Sequence, residues 1–550
     1  MAETKSKHPK GLYYLFFSEM WERFGFYLML GIFFLYMIDA QKGGLALSKE
    51  EASDIFGTFI ALVYLTPFVG GLLADRVLGY RLAITIGGLL MGVGYCGLAL
   101  PGQTALITSL GLIIIGNGFF KPNISTLLGN LYSREEYAEQ KDAGYNIFYM
   151  GINIGAFVAP FIASYLRNNY GWGFAFAAAG IGMFLGVIIF WLGNSFYKEA
   201  DVRKPVESND MPLSKIFSIV ILPAVVVGVA AWYLIPGAVF GSDSTDAFIF
   251  GSVPIIIFYV SLWARASASD KKPIAAMLSI FAVVIVFWAI FKQNGTALTT
   301  WAEYYTDREM VEPVADAAGA IGMVQEVDAS QRTVPAYDHM FRTTTDAEGK
   351  VVTKEGVAPY LNNLPKTKWP ENEKPLSLIS TELFQSINPF FVVLLTPLVV
   401  GFFAFLRKRG KEPSTPAKIM WGLVITAAST LVMVGAVYAG MNGAEKSSAM
   451  WLVGSYAVIT VGELFLSPMG LSLVSKLSPP RLTALMMGGW FLSTSIGNKL
   501  SGVLAGLWDT YDHKAFFFLV NCAGALLAAF AIFIMLKWLR QIVLAHTGRS

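Results

Sequence analysis

Residues 11–36 read GLYYLFFSEMWERFGFYLMLGIFFLY, a run apolar enough to cross a bilayer yet interrupted by Glu19, Glu22 and Arg23. Charges at such depth cost about 3 kcal/mol each even on lenient insertion scales, and they usually face a partner or a water-filled pathway. Spacings of i,i+3 and i,i+4 place Glu19 against both Glu22 and Arg23, a cluster whose net charge can change by one proton. The stretch therefore reads either as a functional intramembrane site or as a structural ion pair between packed helices.

The rest of the chain repeats the apolar pattern. Of 550 residues, 55% are hydrophobic and 14% charged, far from soluble composition. Helix-length apolar runs, each able to cross a core of about 30 Å, fall near 11–39, 53–76, 81–100, 104–130, 143–166, 172–195, 215–237, 246–265, 274–303, 377–406, 418–440, 449–475, 483–508 and 515–540. These fourteen long runs lack the short alternation of barrel strands, so the fold class is an all-α polytopic membrane protein. The hydrophilic MAETKSKHPK leads straight into the first helix without a cleavage signal, so that helix is expected to stay. Cys96 and Cys522 lie singly and the four histidines fall outside the apolar runs. No disulfide framework or cysteine-rich metal site is expected, and intramembrane proton chemistry must use carboxylates.

Lys and Arg placement sets the orientation, because cytoplasmic connections carry their excess. With the N-terminus inside, inner connections hold Arg76/Arg81, Arg134/Lys141, Lys198/Arg203/Lys204, Arg265/Lys271/Lys272, Arg407/Lys408/Arg409/Lys411/Lys418 and Lys476/Arg481. Short outer connections carry few: Lys42, Lys49, Arg167, Lys446 and Lys514. The formal charge of +3 is thus a topology signal, with no suggestion of nucleic-acid binding. Residues 306–375, with 12 acidic and 8 basic residues, form one large insertion, expected outside. Its pieces RTVPAYDHMF and GKVVTKEG read as short strands and turns of a small cap. The expected organisation is an N-terminal six-helix bundle at 1–195, a linker with two extra helices at 196–272, a C-terminal six-helix bundle at 273–540 carrying the insertion, and a tail at 541–550.

Beyond the first helix, the intramembrane charges of greatest weight are Lys121 in GNGFFKPNIS, Lys292 in FWAIFKQNGT and Glu463 in TVGELFLSPMG. A helix bundle gathers such groups into its interior or a cavity. Arg23 and Lys121 on one half with Glu463 on the other would suit a zwitterion, the cations holding a carboxylate and the glutamate an ammonium. Asn153 and Asn388 offer hydrogen bonds to amides, or serve interhelical packing. Tyr27, Tyr64, Trp288 and Trp490 lie on the same helices, where aromatic rings line tolerant pockets or pack helices. GLLADRVLGYR at 71–81 falls in a short cytoplasmic turn, where Asp75 and Arg76 can couple helix ends.

That turn resembles the signature of the major facilitator superfamily, and Glu19-Met-Trp-Glu22-Arg23-Phe24 resembles the ExxERF signature of proton-dependent oligopeptide transporters. FYMGINIGAF at 148–157, GELFLSPMGLSLVSKLSPPR at 462–481 and MMGGWFLSTSIGN at 486–498 are similar to that family's fifth, tenth and eleventh helices. The likeness covers nearly the whole chain except 306–375, and the two extra helices match bacterial members. It implies the major facilitator fold, two six-helix bundles plus two helices, and proton-driven import of di- and tripeptides by alternating access through a bacterial inner membrane. Both termini would be cytoplasmic. It also implies roles: Arg23, Tyr27 and Lys121 for the peptide carboxylate, Glu463 for the amino end, Asn153 and Asn388 as hydrogen-bond partners, and Tyr64, Trp288 and Trp490 as pocket lining. Glu19 and Glu22, with Arg23, Lys121 and Glu463, match the proton-coupling positions; Asp75, Arg76 and Lys292 are expected to gate. The proton gradient is the driving force, with no cofactor, metal or obligate protein partner expected.

Departures from the family pattern are specific. Leu30 stands where many relatives carry an arginine, Phe26 replaces the motif's first tyrosine, and Lys292 occupies the family's acidic position. The arginine and acid of relatives pair across the bundles on the outward side; here both are gone, so gating and coupling must differ, with Lys292 pairing Glu19, Glu22 or Glu303. Uptake of another anion or drug-like solute in the same fold, and a peptide receptor that does not transport, are the competing readings. An enzyme is not expected, since no nucleophile with a base, metal cluster or phosphate loop is evident.

Overall fold

The computed structural model describes residues 8–547 except 133, 135, 138–140, 203–210, 321–322, 345, 347–350, 371–373 and 480–481. Arg203, Lys204 and Arg481, most of the linker after the sixth helix, the Gly-Lys start of GKVVTKEG, the last three residues of the tail and the side chains of Lys141 and Lys476 lie outside the described residues.

Fourteen long helices account for the expected runs: α1 Gly11–Ile38, α2 Lys49–Leu73, α3 Tyr80–Gly97, α4 Gln103–Leu131, α5 Lys141–Tyr170, α6 Trp172–Leu192, α7 Leu222–Leu234, α8 Asp243–Ala264, α9 Ala268–Phe291, α10 Ile387–Lys408, α11 Thr415–Ala439, α12 Met450–Leu477, α13 Thr483–Gly506 and α14 Lys514–Thr547. Among the described residues, 12 helical stretches are long and apolar enough to cross a membrane. The two long helices outside that set are α3, whose apolar character is diluted by Tyr80, Arg81 and its glycines, and α13, which carries Ser493, Thr494, Ser495, Asn498, Lys499 and Ser501. Large apolar side chains exposed along α6, α7 and α8, such as Leu192, Val226, Leu234 and Ile257, present the surface that lipid would cover.

Contacts divide the chain into two compact units, the first Met1–Leu45, Leu62–Ser208 and Val311–Gln325, the second Ala46–Ala61, Asn209–Met310 and Glu326–Ser550. Helix α2 is thereby split, its first part counted with the second unit. Small residues let the first unit close. A Cβ on Gly70 would lie 2.0 Å from the Gly118 carbonyl oxygen, and one on Gly155 would lie 2.4 Å from that of Met20, so α2 meets α4 and α1 meets α5 backbone to backbone. The signature turn prolongs α2 as a π-helical turn, Ala74–Leu78, and ends at Gly79, whose φ of 81° needs glycine.

In the second unit the expected continuous helix 274–303 is broken. It runs as α9 to Phe291, tightens into a 3-10 turn at Lys292–Gly295, and resumes at Ala297–Tyr304. A Cβ at Gly295 would collide with the Phe56 ring at 2.3 Å, so the break seats an aromatic against bare backbone. The two extra helices form a hairpin: Asp246 accepts from the Val239 and Phe240 amides at 3.1 and 2.8 Å, and Ser242 caps α8 by accepting from Thr245 N at 3.2 Å.

The insertion contains the antiparallel pair Arg332–Pro335 with Thr353–Gly356, matching the expected strands, and a small core around Tyr360, Leu361 and Leu378. A helix at Glu312–Ala320 was not anticipated. The cap is bonded onto its own unit. Tyr305 Oη donates to the Met340 carbonyl at 2.5 Å, and Asn363 Nδ2 donates to the carbonyls of Tyr304 and Gly443 at 3.0 and 3.1 Å. Lys446 Nζ donates to Asn363 Oδ1 at 2.8 Å and lies 3.9 Å from the Tyr360 ring centroid.

Candidate functional site

In the first unit α1 is wedged between α5 and α6, and Ser18 Oγ donates to the Gly186 carbonyl at 3.0 Å. That packing leaves Glu19, Glu22 and Arg23 3%, 0% and 4% exposed, so the three charges must satisfy one another. They do so unequally. Arg23 Nη2 donates to Glu22 Oε1 at 2.6 Å while Nε donates to Glu22 Oε2, a bidentate clasp between sequence neighbours. Glu19 Oε1 lies 3.5 Å from Arg23 Nε, and Glu19 Oε2 makes no hydrogen bond among the described residues. Helical spacing alone points to Glu19 as the partner of both; the longer reach of the arginine fork onto its adjacent residue decides otherwise.

Lys121 belongs to this cluster. Its charge acts on Glu19 together with those of Glu22 and Arg23. The Lys121 ammonium lies 4.3 Å from the Tyr64 ring centroid, and the Arg23 guanidinium 5.1 Å from that of Phe26. Tyr27 is an electrostatic neighbour of Arg23. The first unit thus unites Glu19, Glu22, Arg23, Tyr27, Tyr64 and Lys121, two acids and two cations. Asn153 Nδ2 donates to Tyr149 O at 2.9 Å, back onto its own helix α5.

The second unit holds a smaller cluster. Asn388 Nδ2 donates to Glu463 Oε2 at 3.1 Å and to Thr460 Oγ1 at 2.9 Å, joining α10 to α12. Lys292, at the break after α9, is the cation acting on the Glu463 carboxylate, and its ammonium lies 5.7 and 6.0 Å from the Phe291 and Trp288 ring centroids. Sequence reasoning missed Glu463 as a counter-charge for Lys292, because α9 and α12 are far apart in the chain. Trp288 and Trp490 are both buried, the latter against Gly470, where a Cβ would lie 1.9 Å from the ring. Trp288 Nε1 and both amide atoms of Asn498 are buried without hydrogen-bond partners among the described residues. Asn498 closes the SIGN sequence, and polarity inside an apolar run is the signal that could have singled it out.

At the signature turn, Asp75 Oδ1 accepts from Tyr80 Oη at 2.7 Å. The tie to the segment after α6 is made by Arg81 of that turn with Asp201 and Asn194, which the sequence reading did not single out. Asp201 accepts from Tyr80 N at 2.7 Å and from Arg81 Nε at 2.9 Å, and Arg81 Nη1 donates to Asn194 Oδ1 at 2.6 Å.

Three comparisons bear on this arrangement. A family model described as the POT family matches residues 81–314 and 376–532. The chain is 30% identical over 537 residues to a di-/tripeptide transporter of Lactococcus lactis subsp. cremoris, covering 96% of this chain and 95% of that one. It is 31% identical over 517 residues to the uncharacterized transporter YclF of Bacillus subtilis (strain 168), covering 93% and 90%. Among solved structures, a crystal structure of the peptide transporter POT in complex with sulfate superposes with a TM-score of 0.74 at 30% identity, covering 97% of this chain and 96% of that one.

Proposed function

The chain belongs to the POT family, and on that premise we propose that it is a proton-coupled symporter that imports di- and tripeptides by alternating access. Both termini lie in the cytoplasm, so the Lys49 end of α2 faces outward, and the bilayer is the cell membrane. Arg23, Tyr27 and Lys121 receive the peptide carboxylate, Glu463 its ammonium group, and Asn153 and Asn388 its amides. Tyr64, Trp288 and Trp490 give the side chains an aromatic lining. Glu19 and Glu22, balanced against Arg23 and Lys121, exchange the coupled proton; no chemical transformation, cofactor or metal enters the cycle.

One observation carries this reading: two buried acids and a buried arginine on α1 share a cluster with the half-buried Lys121 of α4. A carboxylate arriving at Arg23 or Lys121 competes with the acids already there, and an acid displaced from its cation takes up a proton more readily. Binding of a peptide and of a proton are thereby linked. The lone acid with an amide donor, Glu463 with Asn388, supplies what an ammonium group needs and a simple anion does not.

Proteoliposomes with an imposed pH gradient test it. Labelled dialanine should accumulate, a protonophore should abolish accumulation, and unlabelled di- and tripeptides should compete while single amino acids and nitrate should not. Competition by nitrate alone would favour an anion transporter. Binding without accumulation would favour a receptor.

A further inference from the structure

Lys499 on α13 is fully buried, and its ammonium is enclosed by acceptors. It donates to Asp54 Oδ1 at 2.7 Å, Thr58 Oγ1 at 2.6 Å and Ser244 Oγ at 2.8 Å. Asp54 in turn accepts from Ser242 Oγ at 2.7 Å, Ser244 Oγ at 2.5 Å and Thr245 Oγ1 at 3.0 Å. Three elements meet here: the outer part of α2, the start of α8 in the inserted hairpin, and α13. None of these residues carries a role in the transport reading above.

The same stretch of α2 is held along its length. A Cβ on Gly57 would lie 2.9 Å from Gly502 Cα, so α2 and α13 touch through backbone, and Ser495 Oγ donates to the Ala61 carbonyl at 2.6 Å further inward. At the outer tip, Lys49 Nζ donates to the carbonyl of Phe341 in the cap. Phe341 has a φ of 56°, a left-handed conformation uncommon for a bulky residue. Lys49 also lies 3.8 Å from Asp509 Oδ1 and 4.9 Å from the Tyr304 ring centroid. Both inserted segments, the hairpin and the cap, therefore bond to residues 49–61 of α2. Past Ala61 the helix continues without a break into the first unit.

A charge-assisted network around a fully buried ammonium is strong when complete and costly when one member is left alone. We propose that Asp54 and Lys499, with Ser242 and Ser244 of the inserted hairpin, form an outer clamp that fastens the first part of α2 to α13 and must open for the pathway to face outward. The hairpin thereby sets how readily the outer side opens. This rests on the transport reading, and the test lets each fail alone.

The reporter is Ser495→Cys in a Cys96→Ser, Cys522→Ser background, labelled in intact cells by a membrane-impermeant maleimide. Labelling should be slow with the clamp intact and about tenfold faster with Asp54→Asn, Lys499→Met, or Ser242→Ala plus Ser244→Ala, a shift equivalent to about 1.4 kcal/mol. The reversed pair, Asp54→Lys with Lys499→Asp, should slow it again. Unchanged labelling in variants that melt like the parent would overturn the clamp, and unchanged labelling in the double alanine variant alone would remove the hairpin from it. Should the charge variants not fold, Asp54→Cys with Lys499→Cys serves: oxidation should block labelling and reduction restore it, whereas labelling indifferent to the cross-link overturns the proposal. Dialanine uptake is measured separately. Clamp-dependent labelling in a parent that takes up no peptide would sink the peptide reading and leave the clamp standing.

Discussion

Arg23 clasps Glu22 through two parallel hydrogen bonds and approaches Glu19 through Nε at 3.5 Å. The two acids of the first-helix motif are thus unequal: Glu22 neutralises the arginine, and Glu19 keeps one oxygen without a hydrogen bond among the described residues.

Glu22→Gln leaves Arg23 short of its principal counter-charge, and removing one partner of a desolvated pair costs about 3–5 kcal/mol. Thermal unfolding in detergent should show Glu22→Gln clearly destabilised and Glu19→Gln close to the parent. In liposomes, Glu19→Gln should lose gradient-driven accumulation while keeping most counterflow, where no net proton release is needed. A Glu19→Gln protein that melts lower than Glu22→Gln would reverse the assignment.

Glu463→Gln keeps an oxygen for the Asn388 amide but loses the charge. Dipeptide affinity should fall at least about a hundredfold, the effect of about 3 kcal/mol for a lost ion-pair partner. Calorimetric titration reads it, and discrimination against N-acetylated dipeptides should weaken in parallel. Parent-like affinity would remove Glu463 as the amino-end anchor.

Sequence reading carried far here because the bilayer makes polarity informative. Within apolar runs, Glu19, Arg23, Lys121 and Glu463 stand out without any structural knowledge, and helix length follows from membrane thickness. Pairing was less legible. Periodicity could not tell Glu22 from Glu19 as the bidentate partner of Arg23, since fork geometry decides that. The Asp201 contact to Arg81 and the Asp54 contact to Lys499 join residues 120 and 445 positions apart. The break at Lys292–Gly295 does carry a local signal, the turn-favouring Asn294-Gly295 pair, which the long apolar run around it masks; packing of Phe56 on Gly295 accompanies it.

Lys446 gives a pH signature away from the transport pathway. Burial, and next the Arg308 cation, hold its ammonium well below the usual lysine range, outweighing Glu303 and Asp307. Between that lowered value and the unfolded value of about 10.4, the unfolded chain binds a proton that the folded protein does not, so this group's contribution to stability rises with pH across the window. Below the window both states are protonated and the contribution is least favourable. Thermal unfolding measured from pH 7 to 9.5 should therefore show a steeper rise in the parent than in Lys446→Met. The slope is the readout, because methionine also removes the bonds to Asn363 and Tyr304 and changes the level at every pH. Equal slopes would mean an ordinary lysine.

Lys292 sits where α9 gives way to the 3-10 turn, and its charge acts on the Glu463 carboxylate. If Glu463 receives the peptide's ammonium group, Lys292 competes with that group for the same negative charge. Lys292→Met should then tighten binding of dialanine, by roughly fivefold if the pair contributes about 1 kcal/mol as a half-exposed ion pair does. N-acetyl-dialanine, which has no ammonium group, should bind the variant and the parent alike. The contrast separates competition from a general change in pocket shape, which would move both ligands together. Weaker or unchanged dialanine binding in Lys292→Met would mean that the lysine does not oppose the amino end.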